Sequence, residues 1–173
     1  MSSVHDFSAI NNKGLNFPLK QFKGKALLIV NVACVWGSTK QGYEDLDKVV
    51  DKFPELGIVG FPCNQLGLQE PGSNAEIAEW LGGGKFYWGV TNKSFKVRFP
   101  IMSKIDVNGT NAHPLYTYMR KNAKGFVTNS DDIKWNFEGF LIGKDGKVIQ
   151  RIYPAKDSYG KDEFFKAVKS AMA

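Results

Sequence analysis

The side chains of this sequence that could do nucleophilic chemistry are two thiols, and a small set of hydrogen-bond donors could stabilise the anionic form of a nucleophile. Cys34 and Cys63 each follow an apolar stretch, and position 36 lies where the first stretch runs into the start of a predicted helix. Helix N-terminal amides and the helix dipole stabilise negative charge, so a nucleophile at this position would be held in its anionic form. The residue present is Trp36, whose indole has no nucleophile that ionises at neutral pH.

Amide and indole side chains elsewhere supply donors for a bound anion without competing as nucleophiles. They are Gln69, which opens the run Gln-Glu-Pro-Gly, and the adjacent pair Trp135 and Asn136. Taken singly, each has a plainer interpretation. A Trp-Asn pair in a strand commonly packs in a core, and a Gln-Glu-Pro-Gly run commonly makes a turn before a helix.

The elements that must position these side chains alternate between strand and helix. Residues 26–33 form an apolar, β-branched run, which is typical of a central strand covered on both faces. Ser38 and Thr39 are expected to cap a helix that ends before Pro54. Residues 57–61 then predict a second buried strand, so we expect a right-handed crossover between two parallel strands.

The rest of the chain predicts further helices and two hairpins. Helices are expected after Ser73, where Glu76 completes a capping box, after His113 and over residues 161–172, and hairpins over residues 7–19 and 137–153. Together these elements indicate an α/β fold, a three-layer sandwich whose central mixed sheet is flanked by helices. We expect one domain over residues 1–173.

Composition narrows the class of protein. The net charge is +6, but the lysines are scattered, which indicates a solvated surface, with an anionic membrane or an acidic thiol partner as the alternative. No nucleic-acid motif is present, no apolar run approaches the ~20 residues of a membrane span, and the first residues do not resemble a secretory signal. Two cysteines make no disulfide framework, which favours a cytoplasmic location. His5 and His113 are too isolated to indicate a metal site.

Four segments, taken in order, resemble the glutathione peroxidase family. They are Asn31-Val32-Ala33-Cys34-Val35-Trp36-Gly37-Ser38-Thr39, Phe61-Pro62-Cys63-Asn64-Gln65, Gln69-Glu70-Pro71-Gly72 and Lys134-Trp135-Asn136-Phe137. The likeness extends from His5 to Pro154. The stretch between Gly125 and Trp135 is short, as in the monomeric phospholipid-hydroperoxide members of the family.

The resemblance implies a thioredoxin-like fold and a peroxidase. The family's catalytic tetrad falls on position 36, as a selenocysteine or cysteine, and on Gln69, Trp135 and Asn136. Glutathione would be the reducing co-substrate, with no cofactor or metal, and the substrates would be hydrogen peroxide and organic or lipid hydroperoxides met in oxidative stress. Cys63 matches a position that is not the nucleophile, and residues 79–99 lack the resolving cysteine of thioredoxin-dependent members.

Position 36 departs from the family pattern. Its flanking residues resemble those of selenocysteine-bearing members, so we hypothesise a selenocysteine site whose UGA codon was read, engineered or recorded as tryptophan. A natural UGG codon would contradict this hypothesis. With Trp36 the chain is expected to have little or no activity. We expect Cys34 to be a buried, inert thiol; a replacement nucleophile at Cys34 and a redox pair of Cys34 with Cys63 are the alternatives.

A second function class is a catalytically silent scaffold. In this interpretation Trp36 is genuine, and the thioredoxin-like domain binds lipid or a protein partner. The presence of Gln69, Trp135 and Asn136 favours the enzyme, because a silent scaffold has no chemical need for them. The aromatic residues within 82–89 are expected to pack on the domain, with peripheral membrane contact as the alternative.

Overall fold

A mixed β-sheet forms the centre of the fold, seen in a computed structural model that describes residues 3–35, 38–84, 95–123, 130–154 and 158–173. Within these ranges the strands are β1 (Ser8–Ile10), β2 (Asn16–Pro18), β3 (Leu27–Val32), β4 (Gly57–Pro62), β5 (Gly139–Ile142) and β6 (Val148–Ile152). The central sheet has the order β4-β3-β5-β6, and β1 with β2 forms the predicted N-terminal hairpin. Strand β3 pairs in parallel with β4 and antiparallel with β5, so the sheet is mixed, as predicted.

Helices cover both faces of this sheet. The α-helices of the described ranges are α1 (Thr39–Lys52), α2 (Asn74–Leu81), α3 (Pro114–Asn122) and α4 (Asp162–Met172). On one face, Leu28 and Val30 of β3 share a core with buried residues of α1, α2 and α4. On the other face, Leu27 and Ile29 share a core with α3. Side chains of a strand alternate between faces, so β3 is buried on both sides, and the three-layer prediction is confirmed.

The helix starts agree with the sequence except in one cap. Ser73 and Glu76 form the predicted capping box, and the Nδ1 of His113 accepts from the N–H of Leu115 at the start of α3. Burial lowers the pKa of His113, which keeps this acceptor nitrogen unprotonated. Ser38 occupies the N-cap position of α1, as predicted, but its side chain makes no capping bond. The neighbouring Thr39 hydroxyl instead donates to the carbonyl of Ala33, at 2.9 Å.

The C-terminal hairpin starts two residues later than predicted. Phe137 has a φ of 63°, in the left-handed region, so the chain turns there and β5 begins at Gly139. Three contacts hold the turn. The Phe137 N–H donates to the Asn31 carbonyl at 2.7 Å, the Tyr159 hydroxyl donates to the Phe137 carbonyl at 2.7 Å, and the Phe137 ring meets Tyr43 edge-on.

In the described part of the chain no helix is long and apolar enough to cross a membrane. The predicted aromatic contacts within 82–89 fall, from residue 85 onward, outside the described residues.

Candidate active site

The candidate site lies where β3 leads into α1. Cys34 and Val35 follow the strand, and the bond from Thr39 to the Ala33 carbonyl ties the start of the helix to the end of the strand. Trp36 itself lies outside the described residues. The geometry of the site is therefore built from the residues on either side of this position and from two segments that approach it.

The first of these, the Gln69 segment (residues 64–70), is hydrogen-bonded to the chain just before position 36. The N–H of Val35 donates to the Gln69 carbonyl at 3.0 Å, and the N–H of Cys34 donates to Oε1 of Glu70 at 3.1 Å. Glu70 is fully buried, and its own N–H donates to the side chain of Asn64 at 3.0 Å. A buried carboxylate thus anchors the strand end, a role that the sequence did not reveal.

Lys104 holds the far side of the Gln69 segment. Its Nζ donates to the carbonyls of Glu70, at 3.1 Å, and Gly72, at 2.6 Å. Its backbone N–H donates to the side chain of Asn74, the first residue of α2, at 2.7 Å. A single lysine therefore links this segment to the helix that follows it.

The second, the Trp135 segment (residues 134–138), meets the first through its amide. Asn136 is buried, and its Nδ2 donates to Oε1 of Gln69 at 2.7 Å. The structure thus brings two of the predicted site residues into direct contact. Among the described residues, Oδ1 of Asn136 has no hydrogen-bond partner, so this amide retains an acceptor for a further group.

Trp135 covers the loop that carries Gln69. A Cβ added to Gly67 would lie 3.2 Å from Cη2 of the indole, and Gly67 has a φ of 69°, so glycine suits both the close approach and the backbone. The side chain of Trp135 is 43% exposed, and its carbonyl accepts from Nδ2 of Asn31 at 3.1 Å. The simple core-packing interpretation of the Trp-Asn pair therefore does not describe this indole.

A buried ion pair supports the Trp135 segment from below. Oε1 of Glu138 accepts from the N–H groups of Lys134, at 2.6 Å, and Trp135, at 3.0 Å. Its Oε2 pairs with Arg151 at 3.0 Å. Burial raises the pKa of the Glu138 carboxyl, and the facing guanidinium opposes that rise. This pair was not predicted, although Glu138 and Arg151 each stand next to apolar residues in the predicted hairpin, away from its charged turn, and charged residues are rarely buried unless paired.

Both cysteines are buried, and neither forms a disulfide. Cys34 is buried, as predicted, and Cys63 is completely inaccessible, with no disulfide between them. Burial raises the pKa of the Cys63 thiol, which makes it a poor nucleophile at neutral pH. In the part of the chain that the structure describes, no three His, Cys, Asp or Glu residues are grouped so as to hold a metal ion.

The chain is similar in sequence to known proteins of one family. A family model described as glutathione peroxidase matches residues 4–120. "Phospholipid hydroperoxide glutathione peroxidase 1, chloroplastic" of Arabidopsis thaliana is 43% identical over 159 residues, which are 91% of this chain and 62% of that relative. The chain therefore spans less than two thirds of the length of this curated relative.

Solved structures give the same result for the fold. The crystal structure of T. cruzi GPX1 is 33% identical and superposes with a TM-score of 0.74, covering 99% of this chain and 97% of that one. A thioredoxin family protein from Chlorobium tepidum TLS, described as a thiol:disulfide interchange protein, has a TM-score of 0.60 at 18% identity, covering 96% of this chain and 93% of that one. At that identity the likeness concerns the fold alone, which is thioredoxin-like.

Proposed function

The chain belongs to the glutathione peroxidase family, and on this premise we propose that it is built to reduce hydrogen peroxide and organic or lipid hydroperoxides with glutathione. The observation that carries the proposal is the 2.7 Å hydrogen bond between Asn136 and Gln69, formed beside the residues that precede position 36. Gln69, Trp135 and Asn136 are the donors that we assign to the site. Glutathione acts as co-substrate, and no cofactor or metal is required.

The reaction needs a thiolate or selenolate at position 36. This nucleophile attacks one peroxide oxygen, the O–O bond breaks, and the departing oxygen leaves as water or an alcohol after taking up a proton. The resulting sulfenic or selenenic acid condenses with one glutathione to a mixed adduct and releases water. A second glutathione then frees the nucleophile and leaves as oxidised glutathione. Amide and indole N–H groups stabilise the anion throughout.

Two exposed apolar side chains beside the site support lipid hydroperoxides as substrates. Leu68, next to Gln69, is 72% exposed, and Trp135 is 43% exposed. An acyl chain lying on them would remove apolar surface from water. We extend the proposal to peripheral contact with membranes at this edge. A monomeric, single-domain protein of the cytoplasm is the form that we propose for the chain.

The residue at position 36 determines whether the chain has a nucleophile, and in this sequence it is Trp36. An indole cannot take the place of the nucleophile, so we propose that a selenocysteine belongs at this position and that the tryptophan form has little or no activity. The silent scaffold that binds lipid or a protein partner is the second candidate, and Trp36 itself is the observation that favours it.

The deciding experiment compares this chain with Trp36→Cys and Trp36→Ser. Turnover of hydrogen peroxide and of a phospholipid hydroperoxide is followed through glutathione oxidation. We expect Trp36→Cys to be about 100-fold more active than the other two, because it alone carries a nucleophile at position 36. Folded but inactive Trp36→Cys would favour the silent scaffold, and equal activity in all three would move the nucleophile to Cys34 or Cys63.

A further inference from the structure

Glu138 and Arg151, the buried ion pair that contacts the Trp135 segment, have more hydrogen bonds to the backbone than an ion pair needs for its own burial. We propose that Glu138 and Arg151 are positioning residues that set the place of the Trp135 indole and the Asn136 amide. This inference rests on the proposed function, since it concerns the donors assigned to the same site. The proposed role requires no contact between either side chain and the substrate.

Glu138 acts on the segment through its backbone. One carboxylate oxygen accepts from the N–H groups of two consecutive residues, Lys134 and Trp135, which lie immediately before Asn136. Two bonds from one oxygen fix the direction of both peptide planes. Because the Asn136 amide follows directly, its reach to Gln69 depends on the same constraint.

Arg151 holds the carboxylate and the approach to the segment together. Its guanidinium bonds Oε2 of Glu138 and also donates to three backbone carbonyls, those of Ala123, Asp131 and Asp132, at 2.7 to 3.2 Å. It lies over the rings of Phe140 and Tyr153, with centroid distances of 5.2 and 5.3 Å. The side chain of Arg151 is 3% exposed, so surrounding protein atoms fix its position on nearly every side.

The energetics of such a pair favour a positioning role over a purely stabilising one. Removing two charges from water costs free energy that their attraction only partly offsets, and apolar residues of similar size often give equal stability. What an apolar pair cannot do is accept two N–H groups and donate to three carbonyls at once. The contacts of Glu138 and Arg151 are of this directional kind.

The first test uses the chain as it exists, labelled with 5-fluorotryptophan and observed by ¹⁹F NMR. The Trp135 resonance is assigned with Trp135→Phe, and that of Trp80, fully buried in α2, serves as the internal reference. In Glu138→Gln and in Arg151→Lys we expect the Trp135 resonance to shift more than the Trp80 resonance. Leu19→Ala, which opens a cavity in the core that packs against α3 without removing a contact of Glu138 or Arg151, is the matched loss of stability and should not produce this difference.

The second test measures chemistry in the Trp36→Cys chain. Oxidation of the introduced thiol by hydrogen peroxide is followed by stopped flow, and we expect Glu138→Gln and Arg151→Lys each to lower the second-order rate constant about tenfold, because displaced donors lose their effect on the reacting atoms. Arg151→Lys keeps the charge opposite Glu138, so it serves as the second variant if Glu138→Gln does not fold.

Three results would overturn the inference: an unmoved Trp135 resonance, an oxidation rate constant within twofold of that of the Trp36→Cys chain with Glu138 and Arg151 intact, or an equal shift of the Trp135 resonance in Leu19→Ala. Failure of the proposed function gives a different result. In that case the Trp36→Cys chain reacts with hydrogen peroxide no faster than the Trp36 chain even with Glu138 intact, while the NMR comparison still decides whether the pair positions Trp135.

Discussion

The Gln69 segment and the Trp135 segment are held near the site by the same kind of contact. Each contains a buried carboxylate that accepts backbone N–H groups: Glu70 receives the N–H of Cys34, and Glu138 receives those of Lys134 and Trp135. In both places a side chain replaces the partner that a strand would otherwise supply. One direct bond, from Asn136 to Gln69, joins the two segments.

The segments differ in where the cation lies. Arg151 meets the carboxylate of Glu138 directly and is buried with it, whereas Lys104 is only half-buried and bonds the backbone carbonyls of Glu70 and Gly72. Both segments are also hydrogen-bonded to β3 or to the residues that follow it, the Gln69 segment through Val35 and the Trp135 segment through Asn31. The buried charge pair is therefore what distinguishes the support of the Trp135 segment from that of the Gln69 segment.

The largest difference that we predict is in the alkylation rates of two thiols, Cys63 and a cysteine introduced at position 36. Cys63 directly precedes the Gln69 segment, and its raised pKa keeps the thiol protonated at a pH where free cysteine ionises. In the Trp36→Cys chain at pH 8 we expect iodoacetamide to label Cys63 about 100-fold more slowly than position 36, since the thiolate is the reactive form. Labelling of Cys63 should rise only above the pH range of free cysteine. Peptide mass spectrometry measures both sites, and faster labelling of Cys63 would contradict the prediction.

Matched amide substitutions test the two carboxylates. Glu138→Gln leaves Arg151 as an uncompensated buried charge and should cost about 3 kcal/mol of unfolding free energy. Glu70→Gln keeps an oxygen that accepts from Cys34 and should cost only about 1 kcal/mol. Urea unfolding measures both variants. Equal costs would remove the distinction between the two segments.

A glycine in α1 provides a steric test of the Trp135 segment alone. A Cβ at Gly42 would lie 2.8 Å from the Phe137 ring, so Gly42→Ala overpacks the contact between the helix and this segment. We expect a loss of about 1–2 kcal/mol in thermal unfolding, because the overpacking exceeds the gain that alanine brings to a helix. A more stable variant would show that the ring moves aside freely.

The smallest effect concerns the bond that joins the segments. A double-mutant cycle of Gln69→Ala and Asn136→Ala should give a coupling free energy of about 1 kcal/mol in urea unfolding. The control cycle pairs Asn136→Ala with Gln41→Ala, whose side chain bonds Asp45 on the surface of α1. That cycle should show no coupling, and a zero value for the first cycle would separate the two segments energetically.

The sequence predicted those parts of the fold that local patterns decide. The capping box at Ser73 and the buried run of β3 depend on neighbouring residues, and the family resemblance supplied Gln69, Trp135 and Asn136 as candidates. The Glu138–Arg151 pair and the bond from Cys34 to Glu70 escaped prediction, because their partners are 13 and 36 residues apart. The turn at Phe137 was missed for a similar reason, since it is held by Asn31 and Tyr159.

The hydrogen bond between Asn136 and Gln69 closes a loop of 67 residues, which has a consequence for the order of folding. Contacts between residues so distant in sequence carry a large loop-closure entropy, and they form after local helices and turns. During refolding, helical circular dichroism should therefore recover before the two amides meet. Competence for chemistry is then among the last properties that the folding chain acquires.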